Sequence, residues 1–464
     1  MPKSPKIVLI GAGSAIFGLG NLATLIRSQR LQGSEVWLVD IDEPGLETMT
    51  RLAERMTAEW GTAMRIHGTT DRCQALPGAD FVVASVQVGP RETVWQQDWE
   101  IPLRHGVRQP YAENGGPGAF AHTARNLPLM IAIARDMERL CPEAWFLNFT
   151  NPVLRLTWAI RRYSRIKVVG LCHQLVWAHA MAMAVLADRY GVATPEGFNV
   201  HTDAANEASF LPVALAGYMH LDVKAAGLNH FSWAYDIRDR QTGEDLYPLL
   251  RKRWLHGYRR DFEPLTRELF EIFGLLPTPG DSHLCEYLPW VHDPIARPWE
   301  KYDLKLQSWE GNRRRRGERR QAARALAAGQ ASLEPLRRAH TEGLPEIIEG
   351  VTFNGNFFHH QVNVPNDGCI TNLPADAIVE VPGVVSGWGI RGLNVPPLPE
   401  PIAELCRREL AYSSLVVDAC YHGDRDLALQ ALLLDPMVND IGRARAILSD
   451  FLSEFAEYLP QFRG

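Results

Sequence analysis

The stretch Lys6-Ile7-Val8-Leu9-Ile10-Gly11-Ala12-Gly13-Ser14 decides the fold of this chain. Its first five residues form a short aliphatic, β-branched run, the composition of a strand buried on both faces of a parallel sheet. The glycines that follow directly permit a tight turn and let the backbone approach a ligand closely. A helical stretch continues to Arg30, and a second strand, Glu35-Val36-Trp37-Leu38-Val39, ends on Asp40. Strand, glycine-rich turn, helix, strand and acid follow the order of the first unit of a doubly wound dinucleotide fold. There the turn and the helix N-terminus present N–H groups to a pyrophosphate. A carboxylate at position 40 accepts the ribose hydroxyls and repels a ribose phosphate, which favours NAD over its phosphorylated relative. The pattern is incomplete, because Ile16 occupies the place of the third glycine and Gly18 follows two residues later. A glycine turn that binds nothing is the alternative.

Working outward, the alternation of strand and helix continues through Phe81-Val82-Val83-Ala84-Ser85, Ala144-Trp145-Phe146-Leu147-Asn148 and Ile166-Lys167-Val168-Val169-Gly170. Each run ends in a polar or small residue, which aligns those ends along the edge of the sheet where ligands bind. Past residue 190 the alternation weakens into strand-like pieces, Asp222-Val223-Lys224 and Ile378-Val379-Glu380-Val381, among long helices. The expected architecture is α/β: an N-terminal Rossmann-like, doubly wound parallel sheet over 1–190, binding NAD, and a C-terminal α+β domain over 191–464. That is the layout of lactate and malate dehydrogenases, with the second domain serving substrate, metal and oligomerisation. Without a repeat or a low-complexity linker, the two parts are expected to share a broad interface.

Composition narrows the function. Of 464 residues, 46% are hydrophobic and 22% charged, the balance of a soluble globular protein. A net charge of -6, from 48 basic and 54 acidic groups, argues against nucleic acid and anionic membranes as partners. The charge-free run from Ile7 to Ile26 imitates a signal peptide or membrane helix, yet Gly11, Gly13, Gly18 and Gly20 with Ser14, Asn21 and Thr24 are too polar for a hydrocarbon core. Seven cysteines without a CxxC pair fit a reducing cytoplasm. The run Arg313-Arg314-Arg315-Arg316, with Arg319 and Arg320, reads as a solvated helix face or an oligomer contact; a site for an anionic partner is the alternative.

Four polar clusters stand out. Cys172-His173 follows a strand directly, and Gly227-Leu228-Asn229-His230-Phe231 supplies a second histidine. A thiolate and an imidazole suit a divalent ion and leave positions open for substrate oxygens; separately, each residue has a core reading. Asn148-Phe149-Thr150-Asn151-Pro152 places two amides and a hydroxyl at a strand end, suited to sugar hydroxyls or to a plain Asn-Pro turn. Gly280-Asp281-Ser282-His283-Leu284-Cys285-Glu286-Tyr287 concentrates ionisable groups, with an Asp281 helix cap as its structural alternative.

Taken together, Gly11-x-Gly13-Ser14, Val39-Asp40-Ile41-Asp42, Asn148-Phe149-Thr150-Asn151-Pro152, Cys172-His173, Gly227-Leu228-Asn229-His230 and Glu286-Tyr287-Leu288-Pro289 resemble the family 4 glycoside hydrolases. The resemblance runs on through Asn363-Val364-Pro365-Asn366-x-Gly368, Asn372-Leu373-Pro374 and Leu434-Asp435-Pro436, and so spans nearly the whole chain. It implies a glycosidase that requires NAD and a divalent metal, commonly Mn²⁺, outside the usual two-carboxylate scheme. The implied route oxidises the sugar at C3 and removes the acidified C2 proton with metal assistance. The aglycone is then eliminated, water adds, and the retained hydride returns. Homodimers or homotetramers are what the family suggests.

Residue by residue, the resemblance implies Cys172 and His230 as metal ligands, Asn151 on the C2 and C3 hydroxyls, and His173 assisting the leaving group. Gly11, Gly13, Ser14, Asp40 and Asn148 are the expected cofactor contacts. Asp281 is the candidate base, with Tyr287 as its rival. Histidine after the metal cysteine resembles members acting on unphosphorylated α-glycosides. An α-galacturonide or α-glucuronide is the preferred substrate, its carboxylate calling for a cation such as Arg125 or Arg391; an α-glucoside or α-galactoside is the alternative within the family. From other classes, an NAD-dependent hydroxy-acid dehydrogenase would need no cysteine–metal site and is usually much shorter, and a non-catalytic NAD-binding protein would show binding without turnover.

Overall fold

The computed structural model describes residues 4–14, 18–109, 111–200, 207–306, 308–338 and 343–463, so Ile16 lies outside the described residues. Among them, twelve strands form one sheet. They are β1 (Lys6–Ile10), β2 (Glu35–Val39), β3 (Arg65–Thr69), β4 (Phe81–Ala84), β5 (Trp145–Asn148), β6 (Lys167–Gly170), β7 (Leu221–Leu228), β8 (Phe231–Asp239), β9 (Leu276–Pro277), β10 (Phe357–Pro365), β11 (Ile378–Ser386) and β12 (Gly389–Gly392). The sheet order begins β3-β2-β1-β4-β5-β6, every pair parallel. This is the doubly wound order expected from the sequence, with its reversal point between β1 and β4.

Burial explains why these segments are strands. Ile7, Val8, Val36, Leu38, Val82, Val83, Phe146, Leu147 and Val169 are all buried, as a sheet covered on both faces requires. The helices after β1 and β2, Gly18–Arg27 and Glu43–Trp60, turn apolar faces to it, and the second stops at Gly61 in a left-handed cap. Strand β3 escaped the sequence reading because Arg65-Ile66-His67-Gly68-Thr69 has no aliphatic run. It is the half-exposed edge strand.

Beyond β6 the sheet continues without a break but turns antiparallel, in the order β10-β11-β7-β8-β9, with β12 paired to β11. The pieces read as Asp222–Lys224 and Ile378–Val381 are parts of longer strands, and β8 begins inside what looked like a purely polar cluster. The arginine run lies on helix Trp309–Ala327, which packs on helix Arg91–Arg104. Trp309 meets Trp95 edge-on at 5.2 Å, Arg316 Nε donates to Glu92 at 2.6 Å, and Arg313 bonds Gln96. None of the described helices is long and apolar enough to cross a membrane.

Candidate active site

At the ligand edge of β1 the turn is shaped by its glycines. Gly11 has φ +88°, and a Cβ there would stand 2.0 Å from the carbonyl oxygen of Ser85. Only glycine fits. Gly13 N–H donates to Asp40 Oδ2 at 2.8 Å, and Asp42 N–H to Asp40 Oδ1 at 2.9 Å, so the acid at the tip of β2 is pinned against the turn. The Ser14 carbonyl accepts the Gly18 N–H at 2.9 Å and opens the helix. A narrow apolar slot lined by Ile10, Gly11, Ala12, Gly18, Leu22 and Leu38 runs beside it. This cradle, which a Cβ would fill, suits a dinucleotide backbone.

Asn148 requires a correction. It is fully buried, with Nδ2 donating to Thr157 Oγ1 at 3.0 Å and Oδ1 accepting the Thr150 N–H at 2.8 Å. Its amide shapes the loop from inside.

The loops after β6 and between β7 and β8 bring the two expected ligands together. Cys172 Sγ lies 3.0 Å from His230 Nε2. Burial, and then the neighbouring His283 and His173, holds the His230 imidazole well below its ordinary pKa. It is therefore neutral, the form that donates a lone pair to a cation. Among the described residues no third histidine, cysteine or carboxylate completes a metal cage. A nitrogen and sulfur pair with open positions is the donor set of a catalytic ion, not a structural one. His173 is exposed beside this pair.

Two groups of the fourth cluster, to which the sequence reading gave no binding or catalytic role, stand against it. The His283 ring sits 4.4 Å from that of His230, 4.6 Å from Tyr111 and 5.1 Å from Trp177. Its Nδ1 donates to Glu286 Oε1 at 2.6 Å. The other Glu286 oxygen accepts the N–H groups of Glu113, Asn114 and Gly115 at 3.1, 2.9 and 3.3 Å. Glu286 thereby ties the turn before helix Gly116–Leu140 to the histidine cluster. In sequence the signals are the ionisable cluster from Gly280 to Tyr287 and the Glu113-Asn114-Gly115-Gly116 turn ahead of a helix.

That turn supplies further polar groups. Burial raises the Glu113 carboxyl, but Arg91 at 3.1 Å, with His122 and His283, wins and holds it below the usual range. Glu113 also bonds Asn151. Asn151 Oδ1 and both amide atoms of Asn114 are buried with no protein partner. Buried amides are almost always bonded, so these three atoms keep bonding capacity that the protein alone does not use.

The remaining expectations fare differently. Asp281 is 1% exposed; Oδ1 accepts from Thr266 N and Oγ1, both at 2.7 Å, and Oδ2 from Leu265 N at 3.0 Å. It lies in the first turn of helix Gly280–Leu284 and caps the N-terminus of the preceding helix Pro264–Phe273, not the helix it was expected to open. Burial, opposed by those bonds, pushes its carboxyl up to about 6. Tyr287 is buried, stacked on Phe231 at 4.9 Å, and its hydroxyl donates to the Asn229 carbonyl at 3.4 Å. Arg125 is corrected outright: wholly buried, it forks onto Asp98, Nη1 to Oδ1 at 2.5 Å, and has no access to a sugar carboxylate. Arg391 is exposed on β12 and bonds to no residue of the cluster.

Two family models match the chain. One, described as family 4 glycosyl hydrolase, matches residues 6–187, and the other, its C-terminal domain, matches residues 225–438. An α-glucosidase of Erwinia rhapontici is 31% identical, with 94% of each chain covered. An α-galactosidase of Bacillus subtilis is 29% identical over 99% of this chain and 100% of its own. The structure of a 6-phospho-α-glucosidase from gut microorganisms, in complex with NAD and Mn²⁺, superposes with a TM-score of 0.79 at 22% identity, covering 99% of this chain and 100% of that one. The last likeness shows the fold.

Proposed function

This chain belongs to the family 4 glycosyl hydrolases, and from that premise we propose that it cleaves an unphosphorylated α-hexoside with the help of NAD and a divalent cation, most simply Mn²⁺. The observation that carries the reading is the Cys172–His230 pair beside amides that lack partners. Residues 1–190 serve the cofactor and residues 191–464 complete the substrate site. When bound, the dinucleotide would supply hydride-transfer chemistry, and the cation would supply Lewis-acid stabilisation of charge on the sugar oxygens.

The chain's own groups divide the remaining work. Gly11, Gly13 and Ser14 offer backbone to the pyrophosphate, and Asp40 takes the ribose hydroxyls. Cys172 and His230 hold the cation, and Asn151 and Asn114 bond the sugar hydroxyls. The oxygens of Asp281 are occupied by the helix they cap, which leaves Tyr287 the better-placed base for the C2 proton. Its hydroxyl reaches the carbonyl of the residue before His230. Burial raises that phenol well above its ordinary pKa, so a neighbouring cation has to offset the shift before it accepts a proton at neutral pH. His173, exposed beside the pair, assists departure of the aglycone.

A neutral sugar is favoured over a uronide because Arg125 is spent on Asp98 and Arg391 is an exposed residue of β12. The deciding experiment offers p-nitrophenyl α-glucoside, α-galactoside and α-galacturonide in D₂O, with NAD⁺, Mn²⁺ and thiol each present or omitted. Cleavage that requires both NAD⁺ and Mn²⁺ and places deuterium at C2 is the expected outcome. Cleavage indifferent to NAD⁺ overturns the proposal.

A further inference from the structure

A single rung of the sheet runs beneath the Cys172–His230 pair. Gly170 on β6 stands opposite Asn363 on β10, Asn363 opposite Glu380 on β11, and Glu380 opposite Gly227 on β7. The chain rises from one end of this rung to Cys172 and from the other to His230.

Glu380, 2% exposed, bonds the segment before His230 directly and reaches the segment before Cys172 through Asn363, whose Nδ2 also donates to the Gly170 carbonyl at 3.3 Å. Its Oε2 accepts from Asn229 Nδ2 at 2.8 Å and from Asn363 Nδ2 at 3.2 Å. Its Oε1 accepts from Ser232 Oγ at 3.0 Å. Ser232 in turn accepts from Gln174 Nε2 at 2.6 Å, and the same amide donates to Thr278 at 2.5 Å. Asn229 precedes His230 directly, and Gln174 lies two residues after Cys172. One carboxylate therefore holds one metal-site segment directly and the other through Asn363 and through Ser232 and Gln174, although the two come from distant parts of the chain.

The donors to Glu380 are amides and a hydroxyl, all neutral. Burial pushes its carboxyl up while those hydrogen bonds hold it down. A buried carboxylate without a cation is a costly way to bridge two loops, and a glutamine or an apolar residue would do so at less expense. The arrangement makes sense when positive charge arrives just above it. Outer partners of this kind orient the ligands and tune their hold on an ion.

We propose that Glu380 is a positioning residue that sets the approach of Cys172 to His230 and supplies the buried negative charge that strengthens their grip on a divalent cation. The inference rests on the functional reading above, that this pair binds a cation. The full-length protein is titrated with Mn²⁺ by calorimetry and with Co²⁺ by its thiolate-to-cobalt absorption, beside Glu380→Gln. The expected result is a dissociation constant for Mn²⁺ raised about 10- to 100-fold and a weakened cobalt–thiolate band. The affinity for NAD and the unfolding midpoint stay as in the parent, which a merely structural role would not spare. Parental Mn²⁺ affinity with an unchanged band overturns the proposal. If Glu380→Gln does not fold, Ser232→Ala cuts the link to Gln174 without changing charge; it is expected to weaken Mn²⁺ in the same direction, and unaltered binding overturns the proposal equally. A parent protein with no band, or one whose band survives Cys172→Ser, instead defeats the functional reading beneath it.

Discussion

The thiol of Cys172 and the imidazole of His230 meet at 3.0 Å although 58 positions separate them in the chain. The meeting is made by the sheet, which sets the end of β6 and the β7–β8 turn over a common floor. Neither residue has a second acidic or imidazole partner that completes a cage among the described residues.

On the proposed reading that this pair holds the cation, removing either donor leaves a single point of attachment. Cys172→Ser and His230→Ala are each expected to lower glycosidase activity at least about a hundredfold, because Lewis-acid assistance is worth several kcal/mol. EDTA should silence the parent protein and Mn²⁺ restore it. Mild peroxide should do the same through the half-buried thiol, reversed by dithiothreitol while oxidation stays at the sulfenic stage.

Asp281 is expected to behave as a cap. Asp281→Ala removes the acceptor for Leu265 and Thr266 and should lower stability by roughly 1–2 kcal/mol in urea unfolding. Asp281→Asn keeps one acceptor oxygen and should lose less. Deuterium incorporation at C2 of the sugar should persist in the Asn variant; its complete loss, with stability intact, would return the role of base to Asp281.

Asn114 presents the opposite profile. With both amide atoms buried and unbonded in the protein alone, it carries a desolvation cost of about 1–3 kcal/mol that a sugar hydroxyl relieves. Asn114→Ala should leave the thermal midpoint level or higher and raise KM about tenfold, the cost of one good hydrogen bond. Steady-state kinetics beside calorimetry separates the two effects.

Asp435 governs a pH dependence. It is buried, accepts the Met437 N–H at 2.8 Å, and burial pushes its carboxyl up to about 7. An unfolded aspartate titrates near 3.9, so between about pH 4 and 7 the unfolded chain releases a proton that the folded chain still holds. Stability from this group accordingly falls as pH rises through that window. Asp435→Asn should raise the unfolding midpoint by a few degrees at pH 8 and make little difference below pH 4. A gap that is the same at both pH values would refute the assignment.

Local sequence carried much of the fold. The runs at β1, β2, β4, β5 and β6 are legible because a strand covered on both faces must be aliphatic throughout. Edge strand β3 and strand β10 are less so, since half-exposed strands mix polar with apolar residues, and β8 is masked by the buried polar residues Ser232 and Asp239. In the site, Cys172, His230, Asn151 and Asp40 stand out because each closes or follows a strand whose end faces ligand. Glu113, Asn114, His283 and Glu286 carry no such mark. Their importance arises from Glu286 spanning two loops 171–173 positions apart.

What the sequence by itself determined is the order of elements and the chemistry available. A glycine turn after an aliphatic strand opens the first unit of a doubly wound sheet, and the ordered motifs along the chain identify its family. Tertiary structure alone decided which polar side chains are free to act. Asn148, Arg125 and Asp281 have suitable functional groups, yet packing spends them on Thr157, on Asp98 and on a helix N-terminus. A hydrogen bond depends on distance and direction in space, and both are set only when distant segments pack. Residue type fixes what a group can donate or accept, while the fold fixes whether anything is already there to receive it.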